Sequence, residues 1–177
     1  MGIQELLSSV QVTCLFWPRR GRTVWLGLKG YGDGANKRVP PGGKLELTDK
    51  TLAACAIRET REELSIEAIL ARMRLFAVVF YEHFEKPKRS RLTFHFDGEF
   101  TGEPQDSVEL HHLHPFPLSR LPFKKMWPAE KLWLLDAFEG RLALPHMRCI
   151  RFDADRRIVN SVPLPRFAFP RPIGLAA

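Results

Sequence analysis

The sequence predicts an α/β domain in which a β-sheet lies between helices. Segments rich in strand-forming residues follow one another along the chain, and two segments, near residues 50–64 and 129–139, repeat apolar residues at helical spacing. A chain of 177 residues is long enough for one domain with a substantial core and too short for two comfortable ones. We therefore expect a single domain over residues 1–163 and a poorly ordered, Pro-rich C-terminal tail over residues 164–177.

Six segments are expected to form strands, in pairs joined by polar turns. They are Val10–Trp17 with Thr23–Leu28, Leu75–Phe84 with Arg91–Phe100, and Met147–Phe152 with Ile158–Val162. The fourth segment alternates, so one of its two sets of side chains should face the core and the other the solvent. The two sets are Leu92, Phe94 and Phe96 against Thr93, His95 and Asp97.

The first helix should start near Lys50 or Thr51, after a cap at Thr48 or Asp49, and end at Ser65. Because residues three and four apart share a helix face, its acidic side chains gather on one side. Glu59 and Glu63 lie on that face with Glu62 at its flank, while an apolar stripe lies about a third of a turn away.

Three carboxylates so close together repel one another at neutral pH unless a cation lies among them. Hard oxygen ligands of this kind suit Mg²⁺ or Mn²⁺. The alternative, from the residues alone, is a solvated acidic face balanced by Arg58 and Arg61. The residues alone leave both interpretations open.

From Pro40 to Ile66 the chain reads PPGGKLELTDKTLAACAIRETREELSI, which resembles the Nudix box, G-x5-E-x7-R-E-U-x-E-E-x-G-U with U apolar. Gly43 opens the box, Arg58-Glu59 and Glu62-Glu63 stand at the family's spacing, and Ile66 closes it. Three departures are present. The stretch between Gly43 and Arg58 is one residue longer than the pattern, so that the first glutamate falls on Asp49 or Lys50; in addition, Thr60 and Ser65 replace an apolar residue and a glycine.

The resemblance implies a Nudix fold, a mixed β-sheet sandwiched between helices, and hydrolysis of nucleoside diphosphates linked to another moiety. It also implies that the Gly43 carbonyl, Glu59, Glu62 and Glu63 hold Mg²⁺ or Mn²⁺. Arg58 would orient a carboxylate through a bidentate pair, and Asp49 is its expected partner despite the extra residue.

A fourth carboxylate is expected outside the box. Many Nudix hydrolases read like S-D-E-x-x-E-x-x-W-F-P-L in the region that here reads GEPQDSVELHHLHPFPLS. Aligning Phe116-Pro117-Leu118 with F-P-L places Glu109 at the glutamate that acts as metal ligand or general base. The nearby His111, His112 and His114 stand in a Pro-flanked loop, where surface positions are more frequent than zinc ligands.

A closer resemblance extends from about Val12 to Pro163, to MutT-like oxidised purine nucleoside triphosphatases of the 8-oxo-dGTP diphosphatase type. Its motifs here are LGLKGYGDGA, the box and LPFKKMWPAEKLW. It implies that Trp127 stacks on the base. The two base-reading aspartates correspond to Ala129 and Glu130, a family asparagine to Val39 and a loop phenylalanine to Asp33, so base specificity does not carry over.

The net charge of +7 fits attraction for a polyphosphate. Lys29, Lys37 and Lys44 are candidate phosphate contacts. RNA is an open alternative that the sequence does not favour, because the basic residues are scattered without regularly interleaved aromatics. Neither a membrane span nor a signal peptide is recognisable, and three scattered cysteines suggest reduced thiols, so we expect a cytoplasmic protein. Oligomeric state is not determined by the sequence.

Overall fold

The structure is a computed structural model and describes residues 10–164. Within this range the chain forms eleven strands: β1 (Gln11–Arg20), β2 (Thr23–Lys29), β3 (Arg38–Val39), β4 (Gly42–Lys44), β5 (Glu67–Ala68), β6 (Arg74–His83), β7 (Arg91–Gly98), β8 (Phe100–Thr101), β9 (Leu110–Pro117), β10 (His146–Phe152) and β11 (Ile158–Pro163). The tail expected at 164–177 lies outside the described residues, apart from its first residue.

The strands form a mixed sheet, as the resemblance implied. Its order is β11-β10-β6-β7-β1-β2-β3, with β4 added beside β1 and β9 beside β2. The pairs β1–β7 and β6–β10 are parallel, and the other pairs in this sheet are antiparallel. The predicted β1–β2 hairpin is present, but only its tip pairs, at Arg19–Val24 and Arg20–Thr23, because the two strands then join different neighbours.

The first helix, α1 (Leu52–Leu64), occupies the predicted segment. Its cap is Thr51, whose side chain accepts a hydrogen bond from the Ala54 amide, so the expected cap at Thr48 or Asp49 is wrong. The displaced candidate Asp49 instead accepts from the Glu46 amide and from Arg58. Ser65 ends the helix in the left-handed conformation, as expected.

The second helix is much shorter than predicted. A 3₁₀ turn (Pro128–Leu132) is followed by a break at Trp133 and then by α2 (Leu134–Phe138). Trp133 leaves helical geometry, with φ −150° and ψ −27°, and buries its indole beside Phe76 and His95. Packing of this large side chain into the core outweighs the helical periodicity of the segment.

A hydrophobic core lies on each face of the sheet. On one face, α1 packs its buried side chains, Leu52, Ala53, Cys55, Ala56 and Leu64, against the strands. On the other, the segment around α2 contributes Met126, Ala129, Trp133, Leu134, Ala137 and Phe138. The expected layering, with the sheet between helical segments, is therefore present.

Two further expectations are wrong. Both sets of side chains on β7 are buried, including Thr93, His95 and Asp97, because neither face of the central sheet meets solvent. The segment with three histidines is the strand β9, paired with β2, and not the expected loop.

None of the helices among residues 10–164 combines the length and apolarity needed to cross a bilayer.

Candidate active site

Two glycines bring the backbone of β4 against α1. Gly42 has φ +151°, and a side chain there would meet the Cys14 carbonyl oxygen at 2.4 Å. A β-carbon on Gly43 would lie 2.4 Å from the Glu59 carboxylate. The glycine pair therefore allows the strand to contact the acidic face of α1 directly.

Four carboxylates meet at one cavity of about 250 Å³. Three belong to consecutive turns of α1, which explains why they share a face, and the fourth comes from the segment immediately before β9. The lining residues are Glu59, Glu62, Glu63, Ser107, Val108 and Glu109. The structure thus brings together the four acidic residues that the sequence singled out.

Burial shifts the pKa of two of these carboxyl groups, Glu59 and Glu63. It raises the pKa of Glu63 to about 8, against the opposing effects of the Gly42 amide, which donates to Glu63 at 2.8 Å, and of Lys29. Burial also raises the pKa of Glu59, while Arg58 opposes the rise. A positive charge close to these carboxyl groups would stabilise their ionised form and lower their pKa.

Arg58 connects the helix to the loop before it. Its Nε and Nη2 donate to the two oxygens of Asp49 at 3.0 and 2.9 Å, and its Nη1 donates to Glu59 at 2.8 Å and to Glu62 at 3.1 Å. The predicted pair with Asp49 is therefore present, despite the extra residue in the box. The pKa of Arg58 is raised, chiefly by Asp49, so the guanidinium is permanently charged.

The carboxylate oxygens of this site fit a hard divalent cation, and a cation would lower the pKa that burial raises at Glu59 and Glu63. Among residues 10–164, no three acidic, histidine or cysteine side chains lie close enough to hold an ion as they stand. Arg58 donates hydrogen bonds to Glu59 and Glu62, and the Gly42 amide donates one to Glu63. Each of these three carboxylates is therefore held by a hydrogen bond from an N–H group of the protein.

A tyrosine that the sequence analysis missed contacts the fourth carboxylate. The Tyr31 hydroxyl donates to Glu109 Oε1, and this hydrogen bond raises the pKa of the tyrosine. The Gly30 amide donates to the Glu109 carbonyl at 2.8 Å. The signal for Tyr31 was its position between two glycines in a loop already expected to approach a ligand.

The candidate base-binding residue Trp127 packs against the other end of the loop that follows β2, three residues beyond Tyr31. Trp127 is half-buried, a β-carbon on Gly34 would lie 2.7 Å from its ring, and Lys37 Nζ lies 5.7 Å from its ring centroid. Glu130 is buried, its Oε2 has no hydrogen-bond partner among the described residues, and burial raises its pKa to about 8.

The other candidate contacts are dispersed. Lys29 is half-buried and acts electrostatically on Glu63, whereas the side chain of Lys44 is exposed. Asp33, which stands at the position of the family loop phenylalanine, pairs with Arg91 and Arg156. The three histidines of β9 lie outside the lining of the carboxylate cavity.

Comparison with known proteins supports the likeness of the box. The model of the NUDIX domain matches residues 8–137. A MutT NUDIX hydrolase from Burkholderia pseudomallei superposes with a TM-score of 0.62 at 23% identity, covering 74% of this chain and 97% of that one. The MutT protein from Bacillus halodurans gives 0.68 at 17% identity, covering 86% and 97%.

An ADP-ribose pyrophosphatase from Streptococcus suis also superposes, with a TM-score of 0.53 at 19% identity, covering 82% of this chain and 100% of that one. At these identities the structural likeness shows the shared fold. The family match, by contrast, covers most of the chain and includes Gly43, Arg58 and all four carboxylates of the cavity. The chain belongs to the Nudix hydrolase family.

Proposed function

We propose that this Nudix hydrolase cleaves a nucleoside triphosphate to a nucleoside monophosphate and pyrophosphate, and that it depends on Mg²⁺ or Mn²⁺. The observation that carries the proposal is the meeting of Glu59, Glu62, Glu63 and Glu109 at one cavity, one loop away from Trp127. The loop after β2 links the two places, because its Tyr31 contacts Glu109 and its Gly34 packs on the ring of Trp127.

In the proposed reaction, a water oxygen attacks a phosphorus atom of the triphosphate chain. The new P–O bond forms as the bridging P–O bond between the α- and β-phosphates breaks, so that the nucleoside monophosphate and pyrophosphate separate. Glu109 accepts the proton of the water or serves as an additional ligand. Glu59, Glu62, Glu63 and the Gly43 carbonyl would hold the divalent cation. When bound, the cation offsets negative charge on the phosphates and makes water more acidic.

The remaining residues position the reactants. Arg58 holds Glu59 and Glu62 from one side through charge-assisted hydrogen bonds. Lys29 and Lys44 would contact phosphate oxygens. Trp127 would stack on the base, with Lys37 across its ring, and Glu130 would offer a hydrogen-bonding group to the base edge.

The residues around Trp127 indicate which nucleobases to test first. Oxidised purine nucleotides are the first substrates to test, because the motifs around Trp127 resemble those of enzymes that hydrolyse them. Ala129 is buried and apolar where such enzymes read the base with a carboxylate, and losing such a hydrogen bond typically costs about 1–3 kcal/mol.

A second candidate substrate is another nucleoside diphosphate derivative, such as a nucleotide sugar, a dinucleoside polyphosphate or an RNA cap. The pairing of Asp33 with two arginines favours it, since this edge of the site departs from the triphosphatase pattern. A third reading is a non-catalytic nucleotide- or RNA-binding module, whose affinity would fall steeply with salt.

The deciding experiment is a hydrolysis screen with Mg²⁺ or Mn²⁺, in which products from each nucleotide are separated by ion exchange. The panel contains canonical and oxidised nucleoside triphosphates, nucleotide sugars, dinucleotides and capped RNA. We expect pyrophosphate and a monophosphate from a triphosphate. Turnover of 8-oxo-dGTP no faster than of dGTP would remove the oxidised-purine preference, and no turnover of any substrate would leave the binding module.

A further inference from the structure

Two arginines from distant parts of the chain meet at one acidic side chain. Arg91 begins β7, Arg156 lies in the turn between β10 and β11, and Asp33 belongs to the loop after β2. Asp33 accepts from Arg156 Nη1 at 2.6 Å and from Arg91 Nη2 at 3.2 Å. A guanidinium carries five N–H donors, and within residues 10–164 Asp33 is the only side chain paired with either arginine.

The two arginines carry one more positive charge than Asp33 neutralises. The pKa of nearby His83 is lowered by burial and then by Arg91, Arg156 and Arg89, with Asp33 acting against them. His83 itself stacks on Phe152, at 4.9 Å between ring centroids, and so is held in place beside the arginines. Two guanidiniums therefore meet one carboxylate, and a third, that of Arg89, acts electrostatically on the neighbouring His83.

The arginines border the proposed nucleotide pocket. Arg91 is the cross-strand partner of Tyr81. Burial and then Glu130 raise the pKa of Tyr81, and Arg91 opposes this rise, so Glu130 and Arg91 both act electrostatically on this side chain. Asp33 also precedes Gly34, which packs on Trp127. A nucleotide stacked on Trp127 would thus have Arg91 and Arg156 at its edge.

We infer, building on the proposed function, that Arg91 and Arg156 form a subsite for a second phosphate group of the substrate, separate from the phosphate chain that is cleaved. Two guanidiniums facing one acceptor are the arrangement that recognises phosphate through paired N–H donors. Asp33 occupies the subsite when no phosphate is present. Its side chain is 44% exposed, and ion pairs this exposed contribute little, so a phosphate displaces it easily.

The opposite interpretation is a structural latch, in which Asp33 only fastens its loop to the two arginines. The two interpretations predict opposite effects of Asp33→Asn on nucleotide binding. If the group is a latch, removing either charge partner loosens the loop and weakens nucleotide binding alike. If it is a phosphate subsite, Asp33→Asn removes a competitor and strengthens binding of the second phosphate, whereas Arg91→Gln and Arg156→Gln weaken it.

The experiment is isothermal titration of the whole chain without metal, so that binding is measured apart from hydrolysis. The probes are adenosine and guanosine 5′-monophosphates, their 2′,5′- and 3′,5′-bisphosphates, and inorganic phosphate. We expect one bisphosphate to bind at least about fivefold more tightly than its monophosphate. This preference should disappear in Arg91→Gln and Arg156→Gln and should grow in Asp33→Asn.

Arg157→Gln is the matched control, because it removes the same charge from the next residue, whose side chain faces Asp155 at 3.7 Å. The preference should survive in this variant. Equal binding of mono- and bisphosphates, or weaker binding in Asp33→Asn and the arginine variants alike, would overturn the inference. If inorganic phosphate binds with the same arginine dependence while no nucleotide binds or is hydrolysed, the phosphate subsite stands and the proposed function fails.

Discussion

Arg58 donates two parallel hydrogen bonds to Asp49, from Nε to Oδ1 at 3.0 Å and from Nη2 to Oδ2 at 2.9 Å. Asp49 is only 6% exposed, so its charge depends on this pair. The third nitrogen of the same guanidinium donates to Glu59 and Glu62. One side chain therefore joins the loop before α1 to the carboxylates of the cavity.

Replacing Arg58 by lysine should harm both folding and turnover, because a single ammonium cannot reproduce the planar fork. We expect a loss of about 1–3 kcal/mol in the free energy of unfolding, measured with urea, since Asp49 is left incompletely paired. Turnover should fall at least about tenfold, as for changes to groups that orient metal ligands. Arg61→Lys is the control: Arg61 pairs with exposed Glu67, and near-parental behaviour is expected there.

The Tyr31–Glu109 hydrogen bond should influence rate more than stability. Both side chains are exposed, so Tyr31→Phe should leave the melting temperature unchanged. Turnover should fall several-fold because Glu109 loses a group that orients it, and Glu109→Gln should lose at least about tenfold. A Tyr31→Phe variant with full turnover would show that the bond has no part in the reaction.

Glu130 should make the protein less stable as the pH rises. Its pKa is about 8 in the folded chain, against an ordinary value of about 4.3. Between these values the unfolded chain releases a proton that the folded chain keeps, so the free energy of unfolding falls by up to about 1.4 kcal/mol per pH unit. Glu130→Gln should remove this group's share of the slope, leave the share of Glu63, and be more stable than the parent at pH 8. Exposed Glu85→Gln, compared by urea unfolding from pH 5 to 8, should keep the parental slope.

His95 should have the opposite effect in acid. Burial lowers its pKa to about 3, from an ordinary value of about 6.5. As the pH falls through this interval the unfolded chain binds a proton that the folded chain does not, so stability is lost. His95→Gln can still accept the hydrogen bond from Trp17, which is 3.2 Å long, and should flatten stability between pH 6.5 and 4. The exposed His114→Gln should change nothing in the same melts; equal slopes in parent and His95→Gln would contradict the assignment.

The first helix and its acidic cluster could be predicted because their signals are local. Spacing along one helix determines that Glu59, Glu62 and Glu63 share a face, and Ser65 ends the helix where the pattern stops. The pairing of Arg58 with Asp49 was also predictable, since both belong to the box. These features need little information from the rest of the chain.

Features that depend on tertiary packing were predicted less well. The break at Trp133 follows from the buried surroundings of its indole, which the helical spacing of Leu132, Leu135 and Phe138 does not reveal. Burial of His95 follows from coverage of both sheet faces. The partners of Asp33 lie 58 and 123 positions away, beyond any local pattern.

The most direct test of the proposed activity is Mn²⁺ binding, followed by water proton relaxation, beside hydrolysis of the best nucleotide from the screen. Glu63→Gln is compared with Glu67→Gln, whose side chain lies outside the cavity and pairs with Arg61. We predict that Glu63→Gln weakens Mn²⁺ binding and lowers turnover, each by more than about tenfold, while Glu67→Gln matches the parent. Parental Mn²⁺ affinity together with less than about tenfold loss of turnover in Glu63→Gln would contradict the carboxylate metal site.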